Sequence, residues 1–261
     1  MLYPLFNDTM DDVASGSGEW DLNCDLGEGE PPERTEALFA AIGSANVACG
    51  GHAGNAESML HCARLAARHG VRLGVHPGAS EHFGRGEATL SPGALAELVA
   101  IQFAHFRQCV AVAHQPIHHV KLHGSLYHLS DASPEHAAAY LLAVRKIDPR
   151  LRVYARAGGR VSQMGAQLGL EVWPEIFLDR GYTANGELIR RGLPGAELSV
   201  DAAWERWREL ARSGRWQAND GAWLEAAGRT LCVHGDNPGA VELTQRLGRD
   251  LVRANGQAMN R

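Results

Sequence analysis

Seven times along this chain a run of four to seven mostly apolar residues ends in a polar or glycine-rich cluster, and a stretch long enough for a helix follows. Strands joined by helix-length connections pair in parallel, so this alternation directs the chain to an α/β fold with helices packed over a parallel sheet. The runs are Trp20 to Cys24, Ala45 to Cys49, Val71 to Val75, Ile117 to Leu122, Leu151 to Ala155, Leu170 to Ile176 and Thr230 to Val233. Pro174 lies inside the sixth and makes the end of that strand the least defined. Helical spacing is plain over Glu33 to Ile42, Ala56 to His69, Pro92 to Val112, Pro134 to Ile147, Val161 to Leu168, Asp201 to Ala211 and Ala240 to Ala254. Ser91-Pro92 and Ser133-Pro134 each place a serine N-cap before a proline at the first helical position, and Gly70 and Gly169 stand where helices end. Residues 1–18, closing on Ala-Ser-Gly-Ser-Gly, read as an N-terminal arm, and 19–261 as one βα barrel without internal repeat or linker. The amphipathic segment from Ser213 to Gly228, with Trp216 and Trp223, is expected to cover the core.

In a βα barrel the C-terminal ends of the strands converge on one face, where such barrels build their sites. Here those ends carry Asn23-Cys24-Asp25-Leu26-Gly27-Glu28, Cys49-Gly50-Gly51-His52-Ala53-Gly54, His76-Pro77-Gly78, Lys121-Leu122-His123-Gly124, Glu175 with Asp179-Arg180, and His234-Gly235-Asp236-Asn237-Pro238. Six polar clusters on one rim exceed what packing requires. Asp25 and Glu28 form a carboxylate pair in which one group can act as base while the other orients water, although one of them could instead cap a helix. His52, His76 and His123 are candidates for proton transfer or for stabilising an oxyanion. Lys121 stands within an apolar run and points to the same rim; with Arg180 it is expected to anchor a carboxylate or a phosphorylated oxygen. Asn23, Asn46, Glu175, Asp179, Arg180, His234 and Asp236 are the candidate substrate contacts, with His234 and Asp236 a second acid-base or metal pair. The glycines of these clusters are expected to be turn residues at positive φ. Asp25, His52 and His76 are a candidate set for a divalent metal, since imidazole and carboxylate suit zinc, manganese or iron. The chain has no GxxxxGK[ST] loop, GxSxG elbow, HExxH helix or strand-to-helix GxGxxG.

The 261 residues carry a formal net charge of -5, which excludes the basic footprint of a nucleic-acid or anionic-membrane partner and favours a small molecule. No apolar run approaches bilayer length, and the first twenty residues lack a basic n-region. The five cysteines are an odd set with no CxxC pair, so neither a disulfide framework nor a structural zinc site is expected, and a reducing cytoplasm fits.

The strings DLNCDLGEGE, ANVACGGHAGN, GVHPGASEHFGR, VKLHGSLYH, EIFLDRGYTANGELIRR and VHGDNPGA resemble, in order and spacing, the motifs of the LamB/YcsF family, over about residues 20 to 254. The resemblance implies a (β/α)7-type, distorted TIM-like barrel related in shape to polysaccharide deacetylase barrels, in agreement with the seven units above. It also implies ATP-hydrolysing cleavage of 5-oxo-L-proline to L-glutamate as the A component of a 5-oxoprolinase, with subunits B and C as partners and ATP, accompanied by Mg2+, as co-substrate. The departures are Asn55 where the family has aspartate, Leu122 where it has proline, a shortened loop at 79–86, and a missing Phe-Gly pair after the first motif; they flank the expected mouth. Two other readings remain open: a metal-dependent amide or N-acetyl hydrolase on the same barrel, and a non-catalytic lactam-binding subunit.

Overall fold

The computed structural model describes residues 20–80, 90–225 and 227–258, so the proposed arm at 1–18 and most of the shortened loop at 79–86, His82 included, lie outside the described residues. Strand β1 (Asp21–Leu26) leads to helix α1 (Pro32–Phe39), β2 (Ser44–Ala48) to α2 (Ala56–His69), and β3 (Arg72–His76) to α3 (Pro92–Val110). Next come β4 (Ile117–Val120), α4 (Gly124–Ala132), α5 (Pro134–Ile147), β5 (Arg152–Arg156), α6 (Arg160–Gln167), β6 (Val172–Phe177) and α7 (Val200–Ser213). A short antiparallel hairpin, β7 (Arg215–Gln217) and β8 (Trp223–Glu225), precedes β9 (Thr230–His234) and the closing helix α8 (Ala240–Ala258). Strands β1 to β6 and β9 form a closed, wholly parallel barrel in which β9 pairs with both β6 and β1. These seven staves are the seven runs expected from the sequence.

Alternation along each stave sorts the residues by chemistry. On β1, Leu22, Cys24 and Leu26 join the apolar layer under the helices, while Asp21, Asn23 and Asp25 join a hydrogen-bonded interior. That interior also holds Ser44 and Asn46 of β2, His119 of β4, Tyr154 of β5, Glu175 of β6 and Thr230 and Cys232 of β9, all buried. Its lower part is a closed circuit: Asp21 accepts from Ser44 (3.0 Å), Thr230 (2.7 Å) and Tyr154 (3.4 Å), and Asn23 donates to Thr230 (2.7 Å). Gly74 on β3 makes room for His119, because a Cβ there would collide with the imidazole ring.

Pro174 sits within β6 without breaking it. Its carbonyl accepts from Arg229 (2.8 Å), and the ladder to β9 begins only at Glu175 opposite Thr230, so no ladder bond is missing on that side. Ser91 and Ser133 accept from the backbone N–H of Ala94 and His136 as the expected N-caps, and Gly70 ends α2 at φ 68°. Trp216 of the hairpin is buried while Trp223 is exposed, so the segment covers the core with one of its two tryptophans. Two features differ from expectation. Helix α4, only nine residues with a glycine and two serines, offers too few apolar positions to show a helical period. The segment Pro92–Ala113 is long and apolar enough to cross a bilayer by length and composition, but it packs on α2 and α5 and buries Leu95, Val99, Phe103, Phe106 and Val110.

Candidate active site

At the C-terminal mouth of the barrel the staves bring Asp25, Glu28, His52, His76, Lys121 and His123 together. Asp25 is the hinge of the arrangement. Its Oδ1 accepts from Lys121 Nζ (2.8 Å) and Asn46 Nδ2 (2.8 Å), and its Oδ2 lies 3.5 Å from His76 Nε2. Burial pushes its pKa upward, but Lys121 and then His76 overcome that and hold the carboxyl well below the usual carboxylate range.

Above it, Glu28 Oε1 lies 2.9 Å from His52 Nε2, 3.1 Å from His123 Nδ1 and 3.7 Å from His76 Nε2. His123 Nδ1 also lies 3.0 Å from His76 Nε2, while His76 Nδ1 donates to the Lys121 carbonyl at 2.9 Å. The rings of His52 and His123 stack at 3.6 Å, and His76 meets both edge-on. Glu28, though burial raises its pKa, is held below its ordinary range by His123 and His52. His52 is pushed down to about 4, chiefly by burial, so it is a neutral imidazole donating to an ionised Glu28. His76 goes the other way: burial lowers it, but Asp25 and Glu28 together hold it above its ordinary value.

Local backbone explains how these groups are presented. Glu30 accepts from the N–H groups of Gly27 (2.6 Å) and Glu28 (2.9 Å) and so folds the β1 loop that carries Glu28. Gln102 on α3 clasps Gly78 through both its N–H (3.1 Å) and its carbonyl (2.7 Å). Gly50, Gly54 and Gly124 adopt positive φ as expected, whereas Gly51, Gly78 and Gly235 do not. At Gly78 the reason is contact: a Cβ would collide with the His52 ring.

The candidate substrate contacts divide. Asn23, Asn46 and Glu175 are fully buried and lie behind the mouth. Asn46 ties Asp25 to Asn23 and accepts from His119 (2.7 Å), and Glu175 joins Lys121 (2.9 Å) to the Tyr127 hydroxyl (3.1 Å). Lys121 is not free to anchor a ligand: its side chain is 2% exposed and its ammonium already meets Asp25, Glu175, Cys232 (3.1 Å) and Asn23 (3.5 Å). Arg180 is likewise occupied, donating to the carbonyls of Ala196 (3.0 Å) and Ile189 (2.7 Å) within the long loop after β6. His234 does not pair with Asp236. It pairs with Asp179 (2.9 Å), which also accepts from its backbone N–H, while Asp236 faces solvent and binds Arg191 (2.7 Å). The metal grouping differs too: Glu28 joins His52, His76 and His123, whereas Asp25 groups with Cys232 and His234. Sequence reasoning had no signal for Cys232 or His119, which only the pleat and register turn inward; Glu30 and Tyr127 lay within the quoted strings DLGEGE and GSLYH. The departure at Asn55 is resolved locally, since its side chain caps α2 by accepting from Ser58 N (3.0 Å), a role asparagine and aspartate share.

A cavity of about 1060 Å³ lies at the opposite end of the barrel, among Trp20, Asp21, Arg72, Trp173 and Arg229. Its walls run to Trp20 and Val252, where the described side chains end, and it contains none of the mouth residues.

A parallel barrel with ionised carboxylates and three imidazoles at the C-terminal mouth has the build of a hydrolytic α/β-barrel. The chain belongs to the LamB/YcsF family, whose match spans residues 20–260. It is 38% identical over 242 residues to the A component of the 5-oxoprolinase of Syntrophobacter fumaroxidans, covering 90% of this chain and 95% of the relative. It is 37% identical over 240 residues to the corresponding 5-oxoprolinase component of Heliobacterium modesticaldum, covering 90% and 94%. Among solved structures, the lactam utilization protein of Thermus thermophilus superposes with a TM-score of 0.81 at 34% identity, over 91% of this chain and 97% of that one. An uncharacterised protein of Agrobacterium tumefaciens C58 shares the fold alone, with a TM-score of 0.54 at 14% identity over 92% and 86% of the two chains.

Proposed function

We propose that this chain is the A component of a 5-oxoprolinase, binding 5-oxo-L-proline at the barrel mouth and opening its lactam to L-glutamate with ATP hydrolysis, in company with B and C subunits. The observation that supports the reading most is Asp25, buried yet ionised, set beside three imidazoles and Glu28 on a barrel that closely resembles proteins named for this activity.

Opening a lactam requires water to add at the ring carbonyl, the carbonyl–nitrogen bond to break, and the departing nitrogen to gain a proton. Asp25 is the base that takes a proton from water: Lys121 and Asn46 fix its Oδ1 and leave Oδ2 directed toward His76. Once protonated, Asp25 is placed to return that proton to the leaving nitrogen, and His76, 3.5 Å away, stabilises the carboxylate that re-forms. Lys121 acts from behind, keeping Asp25 ionised rather than touching substrate. Phosphorylation of the amide oxygen by ATP, with release of ADP, would supply carbonyl activation; opening the ring would then leave an acyl phosphate, and a second water would release phosphate and the free carboxylate. The two cations expected from sequence to anchor phosphate, Lys121 and Arg180, are both consumed by protein groups, which favours partner subunits as the holders of ATP and its Mg2+.

Coexpression with the B and C subunits tests this. Glutamate and ADP should appear in step from 5-oxoproline and ATP, and Asp25→Asn should remove roughly 100- to 10,000-fold of that turnover, the range for a lost general base. Calorimetric binding of 5-oxoproline with turnover unaffected by Asp25→Asn would instead make the chain a carrier that delivers the lactam.

A further inference from the structure

We propose that Glu28, His52, His76 and His123 form a binding site for one divalent transition-metal ion, of the zinc class. The four side chains come from the ends of four adjacent staves, β1 to β4, and converge in one corner of the mouth with one ligand atom each within 4.8 Å of all the others. Their close separations are 2.9 Å for Glu28 to His52, 3.0 Å for His76 to His123, 3.1 Å for Glu28 to His123 and 3.7 Å for Glu28 to His76. A tetrahedral ion with bonds of about 2.0–2.1 Å needs ligand atoms roughly 3.3 Å apart, a spacing these four distances bracket. Binding one ion requires the stacked His52 and His123 rings to splay so that all four ligand atoms face a common centre.

The surroundings are those of a ligand set. His76 donates from Nδ1 to the Lys121 carbonyl, which fixes the tautomer and aims the lone pair of Nε2 into the cluster. Gly78, held by Gln102, leaves the space in which the His52 ring lies, so the ring orientation is built into the loop. Three imidazoles and one carboxylate match the donor preference of zinc and of its spectroscopic substitute cobalt. The neighbouring trio of Asp25, Cys232 and His234 is the poorer site: the Lys121 ammonium stands 2.8 Å from Asp25 and 3.1 Å from Cys232, and would repel a cation. An ion bound by the first set would lie beside Asp25, at the mouth where the proposed chemistry takes place. The inference therefore rests on the same mouth as the proposed function, but metal binding is read without any assay of turnover.

The full chain, stripped with chelator, is titrated with Zn2+ by calorimetry and with Co2+ by visible absorption. The expected result is one ion per chain and the intense visible bands of tetrahedral cobalt. Glu28→Gln, His52→Ala and His123→Ala, each checked for native circular dichroism, should weaken Zn2+ binding by more than the roughly 100-fold that outer-shell changes cost. Cys232→Ser should leave it unchanged. Absence of stoichiometric binding, binding indifferent to the three variants, or binding lost in Cys232→Ser would each overturn the site. Glutamate release by a complex whose chain binds no ion in these titrations would overturn the site and leave the proposed function standing; stoichiometric binding in a complex without turnover would do the reverse.

Discussion

The residue on which the site turns is Lys121, one of the chain's two lysines, and its environment decides between two roles. Along the sequence it is a cation aimed at the mouth; in the barrel it is a buried counter-ion shared by Asp25 and Glu175. Removing one member of a buried ionic group leaves the others uncompensated at a cost of about 3–5 kcal/mol. Lys121→Ala should therefore lower stability by that order in urea denaturation, whereas a lysine serving only a ligand would leave the midpoint unmoved. Asn55 gives a smaller test at the same scale. Asn55→Ala should cost about 1 kcal/mol through loss of the α2 cap, and Asn55→Asp almost nothing. The chemical types at the mouth were legible because they cluster in sequence just past each strand. Which of them face a ligand was not, because Lys121, Asn23, Asn46 and Glu175 differ from Asp25 and His52 only in depth along the barrel axis, and depth follows from register between strands.

At the level of elements, period and punctuation carried the fold: each stave begins and ends within a few residues of its apolar run, and the Ser-Pro starts of α3 and α5 are true caps. Helix α4 escaped because its nine residues offer too few apolar positions to show a period, yet it places Tyr127 against Glu175. The pleat put an acid, an amide and a second acid at Asp21, Asn23 and Asp25 of β1 on one face, and that pattern filled the barrel with a polar column. The column needs the space that Gly74 provides on β3 for His119. Gly74→Ala should lower stability by about 1–3 kcal/mol, the usual cost of overpacking, measured by thermal or chemical unfolding; an unchanged transition would mean the imidazole is not held there.

For the molecule as a whole, the polar interior makes stability depend on pH. His118, lowered to about 4 mainly by burial, and His119, lowered well below its ordinary value by the same cause, are both neutral in the fold. The unfolded chain takes up their protons near a pH of about 6.5. A depressed folded value means the stability they contribute is fully present above about 6.5 and is lost as pH falls toward about 4. The melting temperature should drop between about pH 7 and about pH 5, and less steeply in His118→Asn; an identical slope would remove His118 from the cause. In the whole molecule Lys121 and Arg180, the two cations expected to anchor phosphate, are both buried and paired within the protein, which supports the proposal that a complex carries the complete reaction. The most direct test is the release of glutamate from 5-oxoproline and ATP by the purified chain, with and without B and C subunits. Release only with all three, and its collapse in Asp25→Asn, is the expected result. Undiminished release when this chain is omitted, or when Asp25 is replaced, would contradict it.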